Sequence, residues 1–142
     1  MVGVTMEESL KNKAIVLEAF DTLFNRRDYA AAERFWSPDY IQHSAHIEPG
    51  RDGLFNLVRS APATLKYEPG LIVAEGDYVI VHGRFSGRGS PVNWIAADIV
   101  RIENGSFKNT GMCSRTRPRR NSPRVKHRCL ARVLRSERSC LR

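Results

Sequence analysis

Among the side chains of this sequence that could move a proton near neutral pH, Asp98 has the most telling neighbours. It lies in Val92-Asn-Trp-Ile-Ala-Ala-Asp-Ile-Val-Arg-Ile-Glu103, a run of β-branched and aromatic residues that reads as a strand. Strand alternation puts Asp98 on one face with Trp94, Ala96, Val100 and Ile102. A carboxylate on an otherwise apolar, buried face loses hydration, and its pKa rises into the range where it can take up and return a proton. The alternative is a carboxylate hydrogen-bonded across the sheet or paired with an arginine; the apolar company of Asp98 favours the first reading.

The histidines are less specific. His43, in Tyr40-Ile-Gln-His43, stands at the entry to an irregular stretch and reads either as a polar group donating to a ligand carbonyl or as a loop or capping residue. His82 shares a strand face with Tyr78, Ile80 and Arg84, which fits a sheet-surface or interface position, and His46 decorates the loop. His43, His46 and Asp98 do not have the spacing of a ligand cage, so no metal is expected. Cys113, Cys129 and Cys140 match no metal knuckle and leave one thiol over in any pairing. There is no GxGxxG, no phosphate-binding loop and no Ser/His/Asp arrangement.

Helices come first and strands afterwards. Thr5 followed by Glu8 forms a capping-box pattern, and Leu10, Ala14, Leu17, Phe20 and Phe24 recur along one face of a helix predicted from about Met6 to Asn25. Asp28 caps a second helix through Tyr29, Ala32, Phe35 and Trp36, closed by Ser37-Pro38, and a third lies within Gly50–Ser60 with Leu54, Leu57 and Val58 inward. An irregular connection is expected between Asp39 and Pro49. Strands are predicted at Lys66–Ala74, interrupted by Pro69-Gly70, at Tyr78–Phe85, and at Val92–Glu103. Asn104-Gly105 is a strong type I′ hairpin signal, after which a returning strand should follow. This order defines an α+β fold: helices packed on one face of a curved antiparallel sheet. Trp36, Tyr40, Phe55, Trp94 and Phe20 are expected in the core or lining a pocket against that face.

The net charge of +8 is unevenly spread. Residues 1–105 carry 11 Lys+Arg against 14 Asp+Glu, whereas residues 106–142 carry 12 against 1. The basicity belongs to the tail, where Phe107 is the sole aromatic residue and nothing is interleaved for base stacking, so nucleic-acid binding through the tail ranks third and last among the readings. No apolar run reaches the roughly 18 residues of a membrane span, and the N-terminus lacks the apolar core of a secretory signal; a cytoplasmic location is the expectation.

Three segments carry a family resemblance: Asn25-Arg-Arg-Asp-Tyr-Ala-Ala-Ala-Glu33, Trp36-Ser-Pro-Asp-Tyr-Ile-Gln-His43 and Ala97-Asp-Ile-Val-Arg-Ile-Glu-Asn-Gly105. Together they resemble the SnoaL-like polyketide cyclases of the nuclear transport factor 2-like superfamily, over residues 5–105. The resemblance implies a cone-shaped fold, usually dimeric, with a mostly apolar cavity that takes a small carbonyl compound. It implies cofactor-independent aldol cyclisation, isomerisation or dehydration, with His43 and Asp98 as polar cavity residues and Tyr40, Trp94, Trp36, Phe55 and Phe20 around the substrate. Because this fold also hosts binders, a non-catalytic ligand-binding or dimerisation module is the competing reading.

Beyond residue 105 the resemblance stops. The family's last strand carries a Glu-His-Trp-Asp segment whose aspartate is the acid/base residue, and counting from Asp98 it falls on Asn109-Thr110-Gly111-Met112. Methionine has no proton to exchange. Asn109-Thr-Gly-Met-Cys-Ser-Arg115 can be encoded by AAC ACT GGG ATG TGC TCC AGG; read one base earlier, this gives GAA CAC TGG GAT GTG CTC CAG, which is Glu-His-Trp-Asp-Val-Leu-Gln. The composition of residues 106–142 (10 Arg, 2 Lys, 5 Ser and 3 Cys) agrees with a shifted reading frame. The expectation is a domain over 5–105, a doubtful last strand that leaves the Val92–Glu103 edge open, and an Arg-rich tail over 106–142 that is disordered apart from a short basic helix at Val125–Leu134.

Overall fold

The computed structural model describes residues 5–115. The first helix, α1 (Met6–Phe20), starts where Thr5 Oγ1 accepts the Glu8 N–H at 3.3 Å, and it widens into a π-helical turn over Asp21–Asn25. Of the predicted stripe, Phe20 and Phe24 are buried, Leu17 is half-buried and Leu10 is 58% exposed, while Asn12, Val16, Ala19 and Leu23 complete the buried face. Phe20 meets Tyr67 and Phe107 of the sheet, and Phe24 meets Tyr67, so the stripe reaches the core at its C-terminal end and leaves Leu10 outside. No helix among the described residues is long and apolar enough to cross a membrane.

Asp28 caps α2 (Tyr29–Ala32), accepting the Ala31 N–H at 3.0 Å. This helix is shorter than predicted. Trp36 does not close it but opens strand β1 (Trp36–Gln42), so the connection expected from Asp39 is partly extended chain. β1 runs parallel to the last strand at the sheet edge, and its pairing lapses between Trp36 and Ile41, which is where Pro38 can lie without depriving a ladder of a donor. Helix α3 (Gly50–Ser60) then packs Leu54, Phe55 and Val58 inward.

The remaining strands are β2 (Lys66–Glu75), β3 (Tyr78–Ser86), β4 (Trp94–Glu103) and β5 (Ser106–Arg115). β2 shifts register between Pro69 and Ile72, the interruption that Pro69-Gly70 predicts. The sheet order is β1-β5-β4-β3-β2, antiparallel except for the β1–β5 pair. The β4–β5 turn has Asn104 at φ 53 and Gly105 at φ 78, the two positive values of a type I′ turn. The returning strand is therefore formed, and the edge of β4 is covered from Ile95↔Arg115 to Glu103↔Ser106. The sheet continues through residue 115, past the boundary expected at residue 105. Ladder bonds come from the backbone, and Phe107, Thr110 and Met112 supply enough inward side chains to seat the strand. Most of the expected tail, including the helix at Val125–Leu134, lies outside the described residues.

The curved sheet is α+β with its three helices on one face. Two aromatic groups hold the layers together. Phe20, Phe24, Tyr67 and Phe85 meet at centroid distances of 4.7 to 5.8 Å, and Trp36 bridges Phe107 at 4.8 Å and Phe55 at 5.6 Å.

Candidate functional site

The helices do not fill the concave face, and a cavity of about 260 Å³ remains between α1, α3 and strands β1, β3, β4 and β5. Its wall is mainly apolar, with Asp98, Arg88, Tyr40, Gln42 and Thr110 among the polar exceptions. A mostly apolar hollow with a few convergent polar groups is the usual form of a small-ligand site.

Asp98 faces inward because β4 alternates cleanly: Ala96, Asp98, Val100 and Ile102 are buried. Val81 on β3 and Met112 on β5 stand directly opposite it. The side chain is 5% exposed, and its Oδ2 has no hydrogen-bond partner. Neither the arginine pair nor the cross-sheet bond offered as the alternative is formed among the described residues. Burial alone pushes the Asp98 carboxyl up to about 7. Among the described residues it is the one carboxyl lining the cavity.

Two phenols lie close enough to feel that carboxylate. Burial pushes the Tyr40 hydroxyl well above its ordinary value, and the Asp98 charge adds to the rise. The same two causes raise Tyr67. Both hydroxyls therefore keep their protons at any physiological pH and are available as donors. Tyr40 Oη accepts from Gln42 Nε2 at 3.1 Å, and Gln42 Oε1 accepts the Ser44 N–H at 3.0 Å. Gln42 thus orients the phenol while leaving its proton for another acceptor. Tyr67 Oη is buried without a hydrogen-bond partner, against Gly83, where an added Cβ would stand 2.5 Å from the hydroxyl oxygen.

Of the residues singled out from sequence, Asp98, Tyr40, Trp36, Trp94 and Phe20 come together around the cavity. His43 does not join them. Its neighbours Gln42 and Ser44 line the cavity, whereas His43 is half-buried beside it and its backbone N–H donates to Thr110 O at 3.0 Å. Alternation along β1, carried past its end, assigns the inward positions to Tyr40, Gln42 and Ser44. Phe55 is also outside the lining, packed behind Trp36 in the core. Met112 lines the cavity at the position counted from the family pattern. Sequence reasoning missed Gln42, Tyr67, Thr110 and Arg88; for Tyr67 the available signal was Gly83, a glycine inside a β-branched strand, which marks a close approach. His82 lies exposed on the outer face. Among the described residues no three His, Cys, Asp or Glu side chains cluster so as to hold a metal ion.

Helices over the concave side of a five-stranded curved sheet, with one buried carboxyl in the hollow, define an α+β cone with an internal binding cavity. The SnoaL-like domain family matches residues 16–109, and the chain belongs to that family. Solved structures share the fold. A candidate ketosteroid isomerase from Kribbella flavida is 11% identical, covering 86% of this chain and 95% of its own, with a TM-score of 0.63. AclR, a candidate hydroxylase from Streptomyces galilaeus, is 22% identical over 75% of this chain and 90% of its own, with a TM-score of 0.61. A candidate polyketide cyclase from Bacillus cereus is 14% identical over 78% of each chain, with a TM-score of 0.65. No curated protein matches the sequence.

Proposed function

We propose that this protein is a cofactor-independent acid/base enzyme acting on a small apolar carbonyl compound held in the cone. The observation that carries this reading is Asp98: a buried carboxyl, unpartnered at Oδ2, in an apolar cavity, with a pKa of about 7. Such a group takes a proton from carbon next to a carbonyl and returns it elsewhere on the same substrate, the step shared by isomerisation, dehydration and aldol closure. The Tyr40 hydroxyl, held by Gln42, donates to the oxygen on which negative charge collects. Trp36, Trp94 and Phe20 enclose the apolar body and exclude water. His43 stands beside the lining, with its backbone N–H bound to Thr110 O on β5.

Met112 favours a second reading. The side chain facing Asp98 has no exchangeable proton, which fits a binding module or an impaired relative of an active enzyme. A shifted reading frame from about Asn109 accounts for that methionine, and the coding DNA around codon 108 tests it: a frame that reads on unbroken in independent transcripts removes the idea. The exposed Leu71, Val73, Ile80 and Ile95 support a homodimer formed through the sheet.

The test of catalysis is exchange of the α-protons of 1-tetralone with D₂O, followed by mass spectrometry. The protein should accelerate the exchange, and Asp98→Asn should lower the rate by about 100-fold or more. Equal rates in the two proteins would rule out Asp98 as the base, and binding without exchange in either would leave the module reading.

A further inference from the structure

Among the described residues Arg88 is the one cation in the cavity wall. It is half-buried in the loop between β3 and β4, and its guanidinium carbon stands 3.2 Å over the Trp94 ring centroid. Among the described residues no carboxylate pairs with it, although Arg26, Arg34 and Arg84 each have one. The Asp98 carboxyl in the same cavity is also not its partner. Partial burial without an anion is unfavourable for a guanidinium and lowers its pKa.

The loop that carries Arg88 is fixed. Thr64 Oγ1 donates to Gly87 O at 2.7 Å, and Gly87 has a φ of 67, with the Thr64 carbonyl oxygen occupying the place a Cβ would take. A Cβ added at Gly89 would stand 3.4 Å from Pro62 Cγ, so this glycine also lies beside the segment that carries Thr64. The Arg88 backbone is therefore anchored at the junction of two chain segments, and Trp94 holds one face of its guanidinium. Stacking uses that face and leaves the N–H donors in the plane of the group, where they form a fork that matches a carboxylate.

From this arrangement we infer that the ligand of the cavity is an apolar carbonyl compound bearing a single carboxylate, which Arg88 receives while the apolar body extends toward Asp98. The inference rests on the acid/base reading for the carbonyl and on Arg88 for the carboxylate. One guanidinium, with no lysine in the lining among the described residues, suits a monoanion rather than a phosphate dianion. Arg88 is then the specificity-determining residue. It takes no part in the proton transfer.

The experiment compares 2-naphthoate with its neutral isostere 2-naphthamide, titrated calorimetrically into the full chain at about pH 6, where the probe carboxylate is ionised. The acid should bind about tenfold tighter or better, and the preference should weaken as salt is added. Arg88→Gln should remove the preference, so that acid and amide bind with about the same affinity as each other, and Arg88→Lys should restore part of it. Equal affinity for acid and amide in the wild-type protein, or a preference that survives Arg88→Gln, overturns the inference. Neither probe reports on proton transfer, and 1-tetralone carries no anion. A failure of the Asp98 reading therefore appears in the exchange assay, and a failure of the Arg88 inference appears here.

Discussion

Replacing Asp98 by asparagine should make this protein more stable relative to the wild type as pH rises, the reverse of what removing a useful charge does. The unfolded chain releases the Asp98 proton near 3.8, whereas the folded protein holds it until about pH 7. Between those values the folded state binds the extra proton, so stability falls as pH rises through the window. At about 1.4 kcal/mol per unit, the shift from 3.8 to about 7 corresponds to at most about 4 kcal/mol of stability present below pH 4 and lost above pH 7. Asparagine has no such dependence. It carries its own pH-independent cost of about 1–3 kcal/mol if its amide stays unsatisfied in the site, so the readout is the slope and not the absolute value. Urea denaturation of both proteins between about pH 4.5 and pH 8.5, with stability taken from the linear extrapolation, isolates that slope. The wild type minus variant difference should fall by about 2–4 kcal/mol across the range. A difference that stays constant with pH would refute the buried, ionisable carboxyl and, with it, the physical basis for the proton-transfer role.

Other substitutions test the neighbours of Asp98. Met112→Asp sets two carboxyls opposite each other across the β4–β5 pair, so the second ionisation should be pushed above the first and the variant should lose about 1 kcal/mol or more between pH 5 and pH 8 relative to wild type; urea melts at the two pH values measure it. If the acid/base aspartate was lost by a shifted frame, that variant should also gain exchange activity toward 1-tetralone. Gly83→Ala drives a methyl group to within 2.5 Å of the Tyr67 ring and hydroxyl and should destabilise by about 1–3 kcal/mol, read as a lower urea midpoint at unchanged slope.

The parts of this molecule that were legible in the sequence are those set by local chemistry. Asn104-Gly105 marks its turn because both residues tolerate positive φ, and alternation around Asp98 gives the inner face of β4 directly. Strand β1 was hidden because Trp36-Ser-Pro38 reads locally as a helix stop, and what makes it a strand is a parallel pairing with residues some seventy positions later. The α1 face was right at Phe20 and Phe24 and wrong at Leu10, because the spacing continues along the helix while the sheet that buries it does not. Within the site, pattern alone left Trp36, Tyr40, Trp94, Phe20 and Phe55 open between core and pocket; the first four line the cavity and Phe55 lies in the core. His43 does not line it, since the last residues of β1 alternate inward through Gln42 and Ser44 instead. Arg88 had no pattern to betray it: a loop cation acquires meaning only when the ring beneath it and the missing anion are seen together.

The claim on which the rest depends is that Asp98 sits in the cavity as a carboxyl poised near neutral pH. Titration of its side-chain carboxyl carbon by NMR, assigned by its disappearance in Asp98→Asn, measures this without any substrate. The midpoint should lie near the value of about 7 that burial imposes. A midpoint close to the ordinary 3.8 would mean that water or a cation reaches the group, and it would contradict the proposed chemistry.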